Sequence, residues 1–312
     1  MKIAVTGHAG FIGSHLVRRL DELGHQVIGI DCLLPDLYSS DVKRDRLVEL
    51  LRDCDNLESH IADLRTCDVA SLIRGCDVVI NEAAMPGLVK SWSEFSTYVS
   101  CNLMAVEAIA RACVENGVGR LVQISTSSVY GRTATCDESG TTEPFSPYGV
   151  SKLAAEKLIL SYAANFGLES VILRYFSVYG PGQRPDMAYH RFCEALLQDR
   201  EIVIFGDGKQ SRTNTYVSDC VDATIAAITR GEPGGIYNIS GTSQLRLLDA
   251  LDLLAQTMGK KARLVFEPSR PGDQRETVGV IERAVEQLGY SPQVVPEVGL
   301  ALQAEWHTRR AA

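Results

Sequence analysis

Gly7, Gly10 and Gly13 sit three residues apart between a short apolar run, Lys2–Val5, and an amphipathic stretch, Phe11–Leu23. This arrangement restricts the fold more than any other part of the chain. Glycine at the first position permits a tight strand-to-helix turn. Glycine at the second lets the backbone approach a pyrophosphate, and glycine at the third lets the helix close onto the sheet. The start of the helix then offers unpaired N–H groups and the positive end of its dipole to phosphate. Asp31 closes the next apolar run, 18 residues after Gly13, where a carboxylate can accept from both hydroxyls of an adenosine ribose. Cys32 and Leu33 follow, so no basic residue adjoins Asp31 to receive a 2′-phosphate. The pattern predicts NAD rather than NADP.

Gln26–Ile30, Asp77–Ile80, Arg120–Ile124 and Ser170–Leu173 also read as buried strands. Asp41–Leu51, Tyr98–Glu115 and Pro147–Asn165 read as the helices between them. Alternation of this kind predicts an α/β chain, a Rossmann-type doubly wound parallel sheet with helices on both faces. Beyond residue 176 the pattern loosens into Gly- and Pro-rich clusters. The expected division is a first domain over 1–176, with 215–240 returning to it, and a smaller, interleaved C-terminal substrate-binding lobe over 177–312.

The formal charge of −8 argues against nucleic acid or an anionic membrane as the main partner. No apolar run approaches the roughly 18 residues that cross a bilayer, and a strand starting at Lys2 leaves no room for a signal peptide. Nine cysteines without a C-x-x-C pair read as reduced thiols of a cytoplasmic protein. The six histidines form no H-x-x-x-H motif, so no metal is expected.

Tyr148 and Lys152 lie one helical turn apart after Pro147, which suits the first turn of a helix. A nearby ammonium and a positive nicotinamide would favour the phenolate and make Tyr148 a usable base. Ahead of them, Ser125-Thr126-Ser127-Ser128 ends a parallel strand, where such sheets bind ligands. The G-x-x-G-x-x-G turn and the Tyr-x-x-x-Lys pair together resemble the extended branch of the short-chain dehydrogenase/reductases. The resemblance implies that Thr126 shares the substrate oxygen with Tyr148. It also implies cofactor contacts from Phe11, Ile12, Asp63, Leu64, Ala83, Ala84, Asn102 and Tyr175, beside Gly7, Gly10, Gly13, Asp31, Tyr148 and Lys152.

Further segments resemble NAD-dependent nucleotide-sugar epimerases and dehydratases over nearly the whole chain: Arg174–Gly182, Val203–Arg212 and Arg270-Pro271-Gly272-Asp273. This implies a UDP-sugar substrate. Val203 and Phe205 would meet the uracil, Arg212 and Arg270 the diphosphate, and Asp273 the ribose. Two guanidiniums distant in sequence suit a dianion. Dehydratases and decarboxylases of the family carry acids where this chain has Ser127 and Ser128, so hydroxyls there point to a 4-epimerase. Gly182–Ala188 resembles the G-x-R-P-D-M-A run of UDP-glucuronate 4-epimerases, which implies UDP-glucuronate and UDP-galacturonate. Arg184 would pair with the C6 carboxylate, helped by Thr126, Ser127, Ser128 and Ser177. The alternatives are a 4-epimerase of neutral UDP-sugars such as UDP-glucose or UDP-N-acetylglucosamine, a dehydratase, or a non-catalytic NAD-binding regulator. The chain departs from relatives at Asn81-Glu82, Val89 and Thr213-Asn214. The family also implies a homodimer through the helices near 98–116 and 147–166.

Overall fold

The computed structural model describes every residue except Asp36, Pro271 and Ala312. Seven short strands form one sheet: β1 (Lys2–Thr6), β2 (Gln26–Asp31), β3 (Leu57–Ile61), β4 (Val78–Asn81), β5 (Arg120–Thr126), β6 (Ser170–Tyr175) and β7 (Gly235–Ile239). Their order is β7-β6-β5-β4-β1-β2-β3, and every pairing is parallel. The Val-, Ile- and Leu-rich strands are buried on both faces, as parallel strands covered by helices must be. β3 is the exception. It lies at the edge with only half-buried and exposed residues, so it shows little apolar run in the sequence. The strand order reverses between β1 and β4, which opens a crevice above their carboxyl ends.

The expected strands and helices are present, with one informative difference. The predicted helix over 98–115 is broken into Phe95–Val99, a π-helical turn at Ser100–Met104, and Ala105–Asn116. The wider turn carries Asn102, whose buried amide donates to Met85 O at 2.9 Å and accepts from Met85 N at 2.7 Å. π-turns of this type often mark functional sites.

The helix Pro147–Phe166 begins with Ser146 accepting from Gly149 N (3.1 Å), and its proline sits in the first turn. A buried ion pair holds this helix against the sheet. Arg174 on β6 donates to Glu156 through Nε (2.9 Å) and Nη2 (2.7 Å), and Ser125 Oγ also donates to Glu156. Arg174 also donates to Tyr130 Oη at 2.8 Å. Replacing Glu156 with Ala leaves a buried guanidinium unpaired. A loss of about 3–5 kcal/mol is expected, read as a lower urea midpoint with an unchanged m value.

Beyond β6 the chain builds a second layer of elements above the crevice. Helix Ala188–Leu197 and strand Glu201–Phe205 are followed by Ser211–Thr213, which pairs with Gln244–Arg246. Strand Arg263–Glu267 pairs in parallel with Glu201–Phe205. Between them, helix Val217–Thr229 packs on Phe11–Glu22, and β7 completes the large sheet. No helix among the described residues is long and apolar enough to cross a membrane.

Candidate active site

The glycine turn is built as its spacing predicts. Gly7 has φ +70°, a conformation that favours glycine, and its carbonyl accepts from Gly10 N at 2.9 Å. A Cβ on Gly10 would lie 2.9 Å from that carbonyl oxygen, and one on Gly13 would overlap it. The turn is thus a cradle that side chains would fill, and it fits a dinucleotide pyrophosphate. Asp31 is buried at the end of β2 and accepts from Leu33 N at 2.8 Å. Lys43 Nζ lies 3.8 Å from its carboxylate, a basic neighbour that no residue adjoining Asp31 announces. Asp63 lines the same cavity, but Arg65 grips its carboxylate through Nε and Nη2 (2.6 Å). That contact lowers the Asp63 pKa from its ordinary value.

A chain of buried amides sets the floor. Thr6 Oγ1 donates to Asn81 Oδ1 (2.6 Å) and accepts from Ala83 N (3.1 Å). Asn81 Nδ2 donates to Gln123 Oε1 (2.9 Å), and Gln123 Nε2 donates to Ile124 O (2.9 Å). The same Ile124 carbonyl accepts from Lys152 Nζ at 2.6 Å. Asn81, where relatives often carry histidine, therefore ties three strand ends together and indirectly positions Lys152.

These elements meet in one cavity of about 880 Å³, near the upper end for small-molecule sites. It brings together the glycine turn, Phe11, Ile12, Asp31, Asp63, Leu64, Ala83, Ala84 and Tyr175 with Thr126, Ser127, Ser128, Tyr148 and Lys152. Ser177, Arg184, Arg212, Arg270 and Asp273 line it as well. Asn102, Val203 and Phe205 do not line it. Asn102 acts behind the wall by holding Met85. The Phe205 ring is covered by the Arg270 guanidinium, 3.9 Å from its centroid. Pro271 lies outside the described residues. Seven basic and five acidic residues line the cavity among those described, in a chain of net charge −8.

Tyr148 presents its edge to Tyr98, 6.2 Å between centroids, and its hydroxyl lies against Thr126. Thr126 Oγ1 also accepts from Ser128 N (3.2 Å) and bonds to Ser128 Oγ (3.3 Å). Burial raises the Tyr148 pKa above the ordinary value, opposed by the Thr126 hydroxyl and the Arg184 guanidinium and reinforced by Glu82. The expected help from Lys152 is not seen here. Its ammonium is committed to Ile124 O, and burial lowers its own pKa to about 8. Deprotonation of Tyr148 therefore depends on further positive charge entering the cavity.

Arg184 forms a fork on Asp186, Nε to Oδ1 at 3.0 Å and Nη2 to Oδ2 at 2.9 Å. The sequence reading reserves this fork for a ligand carboxylate. The neighbour two residues on already occupies it, so a ligand must use the remaining N–H groups or displace Asp186. Arg212 Nη2 donates to Gln274 O at 3.1 Å, and Arg270 Nε lies 3.4 Å from Asp273 Oδ2. At Val89, where relatives often carry arginine, the next residue Lys90 lines the cavity and pairs with Glu94 at 3.3 Å.

The sequence marks Glu82 only as a departure from relatives and assigns it no role. Its Oε2 is buried without a hydrogen-bond partner in the cavity wall, and burial pushes its pKa up to about 8, opposed by Lys152. The only signal was its place beside Ala83-Ala84. A carboxyl that keeps its proton in the fold but loses it at about 4.5 when unfolded destabilises the fold as pH rises. The loss runs from about pH 4.5 to 8, at most about 1.4 kcal/mol per unit. Lys152 acts with the opposite sign and only above about pH 8. The Glu82→Gln variant should therefore melt progressively higher relative to the unsubstituted protein between pH 5 and 8. A constant offset would contradict the buried proton.

A parallel sheet with a glycine cradle at its switch point and a Tyr–Lys helix beside a hydroxyl-rich strand end defines a dinucleotide-dependent enzyme of the short-chain dehydrogenase type. Residues 3–240 match the model of the NAD dependent epimerase/dehydratase family, and the chain belongs to that family. A relative in Bacillus subtilis, an uncharacterized UDP-glucose epimerase, is 42% identical and covers 96% of both chains. The UDP-glucuronate 4-epimerase of Thermodesulfobacterium geofontis is 33% identical, over 97% of this chain and 94% of its own. The crystal structure of UDP-glucuronic acid 4-epimerase from Bacillus cereus in complex with UDP-glucuronic acid and NAD superposes with a TM-score of 0.95. It is 38% identical and covers 99% of this chain and 100% of the other.

Proposed function

We propose that this chain is an isomerase that interconverts UDP-glucuronate and UDP-galacturonate at C4, with NAD as a bound cofactor. The observation that carries the reading is one cavity lined by Tyr148, Thr126, Ser127, Ser128 and Arg184 together. The first four supply an alcohol-oxidation site without a dehydratase acid, and Arg184 supplies charge for a carboxylated sugar.

NAD⁺, when bound, accepts the hydride from C4 and gives it back. Gly7, Gly10 and Gly13 would hold its pyrophosphate, Asp31 its ribose, and Lys152 the end nearest the reaction. Tyr148 Oη takes the proton of the C4 hydroxyl and later returns it, with Thr126 Oγ1 holding the same oxygen. Arg212 and Arg270 grip the diphosphate, so the sugar can turn about that anchor and present its other face. Ser127, Ser128, Ser177 and Arg184 hold the carboxylate, because a 4-keto glucuronate is a β-keto acid that loses CO₂ when its carboxylate is free to align. Positioning of this kind is a recognised source of selectivity.

In this reading residues 1–176, with 215–240, serve the cofactor, and 177–312 mainly serve the sugar nucleotide. Nine unpaired thiols fit a reducing, cytoplasmic setting. Phe95, Met104, Val150 and Phe166 leave apolar surface exposed on the helices near 98–116 and 147–166, which fits pairing of two copies there. The neutral-sugar alternative rests on the Bacillus subtilis relative, whose name carries UDP-glucose. NMR of parallel reactions with UDP-glucuronate, UDP-glucose and UDP-N-acetylglucosamine separates the two. The expected result is a kcat/KM for UDP-glucuronate at least about 100-fold above the others, the worth of roughly 3 kcal/mol of charge-assisted contact. Preference for UDP-glucose would overturn the assignment.

A further inference from the structure

Outside the cavity, the described residues bring together one trio of side chains with metal-ligating chemistry. His190 and Glu194 lie one turn apart on helix Ala188–Leu197, and His307 comes from helix Pro296–Ala311. One donor atom from each lies within 4.8 Å of the others. The two imidazoles meet edge to face, 4.5 Å between centroids. The sequence hides this group, because it contains no paired-histidine motif and its third member lies 113 residues from the second.

The hydrogen bonds prepare the trio for a cation. His190 Nδ1 lies 2.8 Å from Gln183 O, a carbonyl that can only accept. The proton therefore sits on Nδ1, and Nε2 carries a lone pair. His307 Nδ1 and Glu194 Oε1 face each other at 3.1 Å, close enough for one ion to take the place of the hydrogen bond between them. An imidazole whose other nitrogen donates to a backbone carbonyl, as that of His190 does to Gln183, is the usual form of a histidine metal ligand.

We propose that His190, Glu194 and His307 form a binding site for one divalent transition metal of the zinc class. Two imidazoles and one carboxylate match zinc or cobalt, whereas magnesium and calcium call for oxygen ligands. Three protein ligands leave a fourth position for water. Glu194 is about one-third exposed, which leaves a route for the ion. The site clasps the C-terminal helix to the segment carrying Arg184. His190 N donates to Gln183 Oε1 at 3.0 Å, and Gln303 Nε2 donates to the same oxygen at 2.9 Å. A bound ion would therefore brace residues 183–190 from behind the substrate wall.

The test uses the full chain without a histidine tag, stripped with EDTA and then titrated with Zn²⁺ and Co²⁺. One equivalent should bind, with the melting temperature rising by about 5 °C at saturating Zn²⁺. The Co²⁺ form should show visible d–d bands without the near-ultraviolet charge transfer of a cobalt thiolate. Glu194→Gln should weaken binding about tenfold or more, and His190→Gln should abolish it. Both positions are only partly buried and lie outside the reaction cavity, so both variants should fold. Absence of saturable binding, equal binding by the two variants and the unsubstituted chain, or a thiolate band would each overturn the site.

Discussion

Tyr148→Phe is expected to lower kcat on UDP-glucuronate by about 10²–10⁴-fold, the usual worth of a positioned acid–base group. It should leave the cofactor bound. The substitution removes one hydroxyl and keeps the ring that packs edge-on against Tyr98. The glycine cradle, Asp31 and the Lys152–Ile124 contact do not involve that hydroxyl. Activity lost together with NAD content would mean that Tyr148 builds the site instead of reacting in it. The acid limb of the pH profile carries a second check. Burial raises the Tyr148 pKa in the cofactor-free chain. The profile of the NAD-loaded enzyme should therefore place this group lower than a titration of the cofactor-free protein does.

Arg184→Ala has the next largest expected effect, and it is selective. The kcat/KM for UDP-glucuronate should fall about 100-fold, while that for a neutral UDP-sugar should change by less than about tenfold. The reason lies in the charge around the fork. Asp186 already pairs with Arg184 at 2.9 Å, so the wall is close to neutral until a substrate carboxylate shares the guanidinium. Removing the arginine leaves Asp186 facing that carboxylate, which adds repulsion to a lost contact. Steady-state kinetics on both sugars measure the difference. Equal losses would assign Arg184 to the shape of the 182–188 segment.

Features set by local spacing were legible in the chain. Gly7, Gly10 and Gly13 lie within one turn and one helix start, and Tyr148 and Lys152 lie on one helical turn. Their geometry follows from backbone periodicity alone. Pairings between distant elements were not legible. Lys43 reaches Asp31 at the end of β2 from the helix Ser40–Asp53, Arg270 covers Phe205 across 65 positions, and His307 joins His190 from the last helix. β3 was faint because an exposed edge strand needs no apolar run. Glu82 stood out only as a departure from relatives, because a carboxyl's burial depends on neighbours from other strands. Asn102 was expected at the cofactor, and the π-turn at Ser100–Met104 instead aims it at the Met85 backbone.

The central claim is oxidation at C4 followed by return of the same hydride to the opposite face. It is tested most directly with UDP-glucuronate deuterated at C4, incubated in ordinary water with the purified chain and no added NAD. NMR should show UDP-galacturonate that keeps its deuterium at C4, because the hydride never exchanges with solvent. Loss of the label, release of CO₂, or recovery of unchanged substrate would contradict the account.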